Sequence, residues 1–304
     1  MSTLLQKLFL FSIPILIFLI VIGIGLDFIP NTYDIKKKLL EKNPQKIEFI
    51  FFGTSHSFSG INPTNFKTNS INIANNSQSI YYDLKILDKY LNKLENLKVV
   101  FFEINFFTFK YNLDKGPEAF RNKYYFQSFD LEPQTDNLTF LDKIRLRHLS
   151  NDEILILLKN YYITKNYENT NGFAQNDIGP KILNDSDIIS KFKSFKFEYV
   201  NSNSSEILPL FSTIYKKLKE KNVRVVFVQL PVRKKLCHLI NDEINNSAYF
   251  STFESIVQQS NDCFLDYLCD DRFDDSLFVD SDHLTTNGAN IFTKLLLIDF
   301  ESCN

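Results

Sequence analysis

The stretch KIEFIFFGTSHS, residues 46–57, decides the fold. A run of apolar, β-favouring residues ends at a Gly-x-Ser turn, which reads as a buried strand feeding a functional loop. The same rhythm recurs downstream. SINIANNSQS gives a short second strand over 71–74 and then a polar loop, and NLKVVFFEINFF gives a third over 98–103. VRVVFVQLPV is a fourth strand, stopped by Pro231, and CFLDYL is a short fifth. Between strands two and three, Leu84, Leu87, Leu91 and Leu94 recur at helical spacing. SEILPLFSTIYKKLKEKN is an amphipathic helix before strand four, and residues 243–259 read as a helix before strand five. LTTNGANIFTKLLLIDF closes the chain as a helix with Thr285 or Thr286 as its N-cap.

Buried strands alternating with helices imply an α/β fold, a flavodoxin-like three-layer sandwich around a mainly parallel five-stranded sheet. Ligands in such folds bind beyond the carboxyl ends of the strands. Attention therefore falls on the loops after strands one, two, three and five. Residues 108–205 break the rhythm and are rich in Asn, Asp, Tyr and Lys. They read as an insertion that covers or shapes the site, with one helix over 152–162 and further structure that periodicity does not assign.

Two motifs carry chemistry. Gly53-Thr54-Ser55-His56 follows strand one, and Asp280-Ser281-Asp282-His283 follows strand five. A serine hydroxyl is a weak nucleophile until a base takes its proton, and that base, usually His, is oriented by a third group. Asp280, three residues ahead of His283 on one turn, reaches the far nitrogen of its ring. Ser55 on a neighbouring strand end completes the set. His56 adjoins Ser55, but neighbours in a tight turn point apart, so it reads as a pocket residue and not the base. Asp282 reads as a solvated turn residue, and Arg233 as a solvated charge or an anion contact.

The N-terminus is of a different kind. Residues 8–26 carry no charge, close to the ~20 residues that cross a bilayer core as a helix. Pro14 is tolerable in a membrane helix. A cleaved signal peptide is the rival reading, though its apolar stretch is usually shorter and followed by small residues. We expect an anchor over 1–27, a polar juxtamembrane stalk over 28–45, helical over 34–41, and a catalytic domain over 46–304. Lys36, Lys37, Lys38 and Lys42 after the span favour a cytoplasmic domain by charge count, a rule that large domains override.

A net charge of −2 and a pI near 6.1 supply no basic field for a polyanion, so nucleic acid is excluded as the partner. Four cysteines show no C-x-x-C, and no His/Cys cluster has zinc spacing, so neither a metal nor another cofactor is expected. Cys263 and Cys269 read either as a disulfide in an oxidising compartment or as isolated thiols.

The order Ser…Asp-x-x-His, with Ser55 in a Gly-x-Ser turn and FVDSDHLTTNGA before the last helix, resembles the SGNH (GDSL-like) hydrolase superfamily. The likeness is closest to its membrane-anchored envelope branch, which includes proteins of alginate O-acetylation and teichoic-acid D-alanylation. It covers about 46–107 and 206–300. It implies Ser55 as nucleophile, His283 as base and Asp280 as its partner. It also implies an oxyanion hole from the Ser55 N–H, a loop glycine after strand two and an Asn after strand three. Asn105 fits the last, but the second loop, Asn75-Asn76-Ser77, lacks the glycine, leaving a backbone N–H of that loop as donor. The implied function is a serine esterase or O-acyltransferase on an envelope or exported glycan, on the extracytoplasmic side. Its partners would be an acyl donor, a glycan and a membrane acyl-transfer protein. The alternative is a non-catalytic glycan-binding scaffold on a decayed fold.

Overall fold

The structure is a computed structural model, described here over residues 2–27, 30–135, 138–143, 168–201, 206–244 and 262–303. The helix expected at 152–162 and most of that expected at 243–259 lie outside them. Five strands, β1 (Phe49–Phe52), β2 (Ser70–Asn72), β3 (Val99–Glu103), β4 (Arg224–Gln229) and β5 (Cys263–Asp266), form one sheet. Their order is β2-β1-β3-β4-β5 and every pairing is parallel. This is the flavodoxin-like order, whose chain reverses direction across the sheet between β1 and β3. The loops that carry Ser55 and Asn105 therefore flank the crevice of the switch point.

Period-two geometry explains why these strands are apolar throughout. Ile50, Phe52, Val100, Phe102, Val225 and Phe227 face one core. That core is closed by Leu84 and Leu87 of α4 (Ile80–Tyr90) and Phe211, Ile214 and Leu218 of α7 (Ile207–Glu220). Phe49, Phe51, Val99, Phe101, Val226 and Val228 face the other. Phe292, Leu296 and Phe300 of α9 (Thr286–Ser302) close it. Thr285 is the N-cap of α9, accepting from the Gly288 N–H at 3.0 Å. Helices also cover the sheet where periodicity assigned none: α5 (Asn122–Phe129), α6 (Asp185–Asn201) and α8 (Lys234–Ile244).

The N-terminal α1 (Ser2–Asp27) is exposed over its Thr3–Val21 window, which at mean hydropathy 2.4 suffices in length and composition to cross a membrane. The segment after it is not the expected stalk. Helix α2 (Thr32–Lys42) opens with an Asn31/Asp34 capping box and buries Tyr33, Ile35, Lys36 and Leu40. The Lys36 ammonium donates to the Asn72 and Gly172 carbonyls at 2.6 and 2.5 Å and lies 4.4 Å from the Phe58 ring centre. The helix expected over 34–41 is present, but its inner face is part of the core. Burial holds the Lys36 pKa well below the usual lysine value.

Neither reading of Cys263 and Cys269, a mutual disulfide or isolated thiols, matches the structure, in which each bonds another cysteine. Cys237–Cys269 joins α8 to the loop after β5, and Cys263–Cys303 joins the start of β5 to the end of α9. Cys263 and Cys269 flank β5, whose four residues alone span about 10 Å, while a bridge needs Cα atoms within about 7 Å. The bridges close loops of 32 and 40 residues, each worth about 4 kcal/mol in the chain-entropy model. Thermal unfolding with and without a phosphine reductant tests this: the melting temperature is expected to fall by well over 5 °C on reduction.

Candidate active site

Ser55 is the first residue of the short helix α3 (Ser55–Gly60), directly after β1. Gly53 makes the turn at φ +145°, where a Cβ would collide with the Glu103 side chain. Glu103 ends β3, is 5% exposed, and organises the turn. Its carboxylate accepts from the Thr54 N–H (2.8 Å), the Thr54 hydroxyl (2.6 Å) and the Ser57 N–H (3.0 Å). Burial alone would raise its pKa, but hydrogen bonds from His56, Thr54 and Ser57 outweigh that and lower it. Thr54 Oγ1 accepts from the His56 N–H at 3.3 Å, and the Ser55 N–H at the helix start has no intrahelical acceptor.

His283 arrives from the other side of the crevice. Its Nε2 lies 2.8 Å from Ser55 Oγ, and its Nδ1 lies 3.0 Å from both oxygens of Asp280. Asp280 Oδ1 also accepts from the backbone N–H groups of Asp282 (3.1 Å) and His283 (2.9 Å), which fixes the loop around the carboxylate. Burial would raise the Asp280 pKa, but the hydrogen bond and charge of His283 lower it below the ordinary aspartate range. Arg233, 6% exposed, is neither solvated nor open to a ligand. Its guanidinium donates to the Lys181 and Phe278 carbonyls, and its N–H to the Ser281 carbonyl, bracing this loop.

Among the three residues named after β2, the structure separates Ser77 from the others. The Asn75 N–H is taken by the Gly53 carbonyl (3.2 Å) and the Asn76 N–H by Asn75 Oδ1 (3.0 Å). The Asn75 side chain engages Thr32. Neither backbone N–H is therefore open to a substrate, because each holds the loop together. Ser77 lines a cleft with Thr54, Ser55, His56, Phe107, Tyr111, Lys191 and Phe195. No hydrogen bond among the described residues uses its N–H. It has φ +54°, the left-handed region that favours glycine. On β3's side, the Phe107 N–H (3.2 Å) and the Thr108 hydroxyl (3.0 Å) both donate to Asn105 Oδ1. That fixes the amide so that Nδ2, buried and without a partner, is the free end.

His56 and Asp282 form a buried ionic chain that no local pattern in the sequence announces. Asp282, 2% exposed, lies 2.8 Å from His56 Nε2 and 2.9 Å from the Lys191 ammonium of α6. His56 Nδ1 lies 3.5 Å from Glu103. Burial would depress the imidazole's pKa, but hydrogen bonds and charges from Asp282 and Glu103 outweigh it and raise it to about 10. Asp282 is held well below the usual aspartate range: burial opposes this, while His283, His56 and Lys191 prevail. It is therefore not the solvated turn residue expected, because its pairing joins the last loop to the insertion. Ligand atoms of His56, Asp282 and His283 lie within 4.8 Å of one another, close enough to share a metal ion.

No family model matches the sequence, and no curated protein matches it. Solved structures similar to the chain include a Bacteroides fragilis protein named provisionally as an acylhydrolase, 11% identical, with TM-score 0.37, over 87% of this chain and 90% of that one. A GDSL-like lipase from Bacteroides thetaiotaomicron is also 11% identical, with TM-score 0.38, over 90% of this chain and all of that one. Likenesses at this level leave function to be argued from the residues.

His56 gives a pH test. Its folded pKa of about 10 exceeds the unfolded value near 6.5, so its stabilisation is complete below about pH 6.5 and disappears as pH rises through about 10. Urea unfolding from pH 6 to 10 is expected to show stability falling more steeply in the wild type than in His56→Gln. Parallel curves would remove the ionic chain.

Proposed function

We propose that this protein is a serine-dependent acyl-ester hydrolase or O-acyltransferase of the SGNH type, anchored in the cell membrane and acting on an envelope or exported glycan. The observation that carries it is the continuous line Ser55 Oγ–His283 Nε2 at 2.8 Å and His283 Nδ1–Asp280 at 3.0 Å. This is the nucleophile–base–orienter geometry of acyl transfer.

In this reading His283 Nε2 takes the Ser55 hydroxyl proton as Oγ attacks the ester carbonyl. The oxyanion meets three donors without other partners: the Ser55 N–H, the Ser77 N–H and Asn105 Nδ2. Collapse of the tetrahedral intermediate breaks the bond to the leaving oxygen, which receives the proton from His283. An acyl-Ser55 remains. His283 then deprotonates water, giving a hydrolase, or a sugar hydroxyl, giving a transferase. The walls Phe107, Tyr111 and Phe195 supply flat apolar faces against which sugar C–H groups pack. The scaffold alternative drew its motive from the missing loop glycine. Ser77 in the left-handed region supports catalysis instead, since an oxyanion donor requires only a backbone N–H.

For the membrane reading, α1 supplies the span. Pairing of all four cysteines supports an oxidising, extracytoplasmic compartment. The basic residues after the span serve the fold, with Lys36 buried and Lys38 and Lys42 paired with Glu168. A periplasm-only reporter enzyme fused to the C-terminus is expected to be active; activity of a cytoplasm-only reporter instead would overturn the orientation.

A fluorophosphonate labels activated serines and tests the chemistry. Wild type is expected to label, Ser55→Ala and His283→Ala not at all, and Asp280→Asn about 10⁴-fold more slowly. Asn105→Ala is expected to lose about 10²–10³-fold in ester turnover, and Ser77→Gly to keep its activity, because the donor is backbone. A folded wild type that does not label would reject the triad.

A further inference from the structure

We infer that the catalytic cleft opens toward the bilayer and that the rim of the carboxyl edge rests on the lipid surface, so the acyl donor is met at the membrane plane. This rests on the anchored reading above and adds an orientation to it. Thr32, the first residue of α2, bonds through its hydroxyl to the Asn75 side chain at 3.2–3.3 Å. The Asn75 N–H bonds to the Gly53 carbonyl, two residues before Ser55. The chain from Asp27, the end of α1, to Thr32 is five residues, a reach of at most about 17 Å. Helix α2 then runs away from this edge: Glu41, near its end, accepts from Tyr90 OH at the far end of α4. The end of the sheet that bears Ser55 is thus the end tied to the membrane.

Exposed apolar side chains are distributed accordingly. Ile178 (62%) and Ile182 (102%) are exposed on the segment that flanks the His283 loop, where the Lys181 N–H donates to the Val279 carbonyl and Asn176 Nδ2 to the Leu284 carbonyl. Phe120 (49%) adjoins Arg121, whose guanidinium interacts with Tyr33 at the start of α2. Ile178 and Ile182 share one stretch of rim at the edge tied to the span, where exposed apolar side chains fit the acyl–headgroup boundary. Ile298 is exposed too, but it lies near the end of α9, two residues before Phe300, whose ring packs on the Arg224 guanidinium at the amino edge.

The test uses the full-length chain in lipid nanodiscs containing headgroup-level nitroxide lipids. An environment-sensitive fluorophore is placed at Ile182→Cys or Ile298→Cys, with both disulfides kept. Quenching is expected to be several-fold stronger at 182 than at 298. Equal quenching, or stronger quenching at 298, overturns the orientation. Hydrogen exchange on the unsubstituted chain tests the orientation without an added cysteine: exchange over 176–182 is expected to be slower in nanodiscs than in detergent, and equal rates would overturn it. Failure of the chain to stay in the bilayer after carbonate washing would instead reject the anchor. Fluorophosphonate labelling of the same samples reports the triad separately.

Discussion

The site depends on one buried carboxylate. Glu103 ends the central strand β3, and its side chain receives two backbone N–H groups, one hydroxyl and one imidazole from the turn after β1. A carboxylate removed from water is costly unless its oxygens are satisfied, and here the turn satisfies them. The turn in return acquires a fixed shape, with Gly53 pressed against Glu103 and Ser55 presented at the crevice. Strand order makes this possible, because β1 and β3 are adjacent and parallel and their ends are level.

From Glu103 the ionic chain continues through His56 to Asp282 and ends on Lys191. It links three regions far apart in sequence: the Ser55 turn, the His283 loop and the segment that carries Lys191. The charges alternate and sum to zero, with Lys191 partly exposed at the end, which favours burying Glu103, His56 and Asp282 together over burying any one alone. Their role is positional. Asp282 neighbours His283, and His56 neighbours Ser55, so the chain holds the two loops at the 2.8 Å separation of Ser55 and His283. Phe195 beneath Lys191 carries the same insertion helix over the cleft.

Asn105 and Ser77, the two oxyanion donors proposed besides the Ser55 N–H, are positioned by different means. Asn105 is aimed by its neighbours Phe107 and Thr108, and Ser77 by a left-handed turn that costs a non-glycine residue about 1–2 kcal/mol. Asn75, first in the loop after β2, instead braces that loop against α2.

Much was legible in the sequence because it is local or periodic. Strand burial, the leucine stripe of α4, the Gly-x-Ser turn and the Asp-x-x-His loop each lie within a few residues, so spacing alone specifies them. The parallel sheet followed from the alternation of strands and helices. What only the tertiary structure decided was every pairing across long sequence separation. Asp282 has the local pattern of a solvated turn residue and becomes buried because Lys191 and His56 converge on it. Cys263 is six residues from Cys269 yet bonds Cys303, because the strand carries its ends apart and α9 returns beside its start. The polar-looking segment after α1 became a core helix because only its inner face, Tyr33, Ile35, Lys36 and Leu40, meets the fold. Sequence determines which groups are present and how neighbours are spaced, whereas desolvation and charge depend on what the folded chain brings against them.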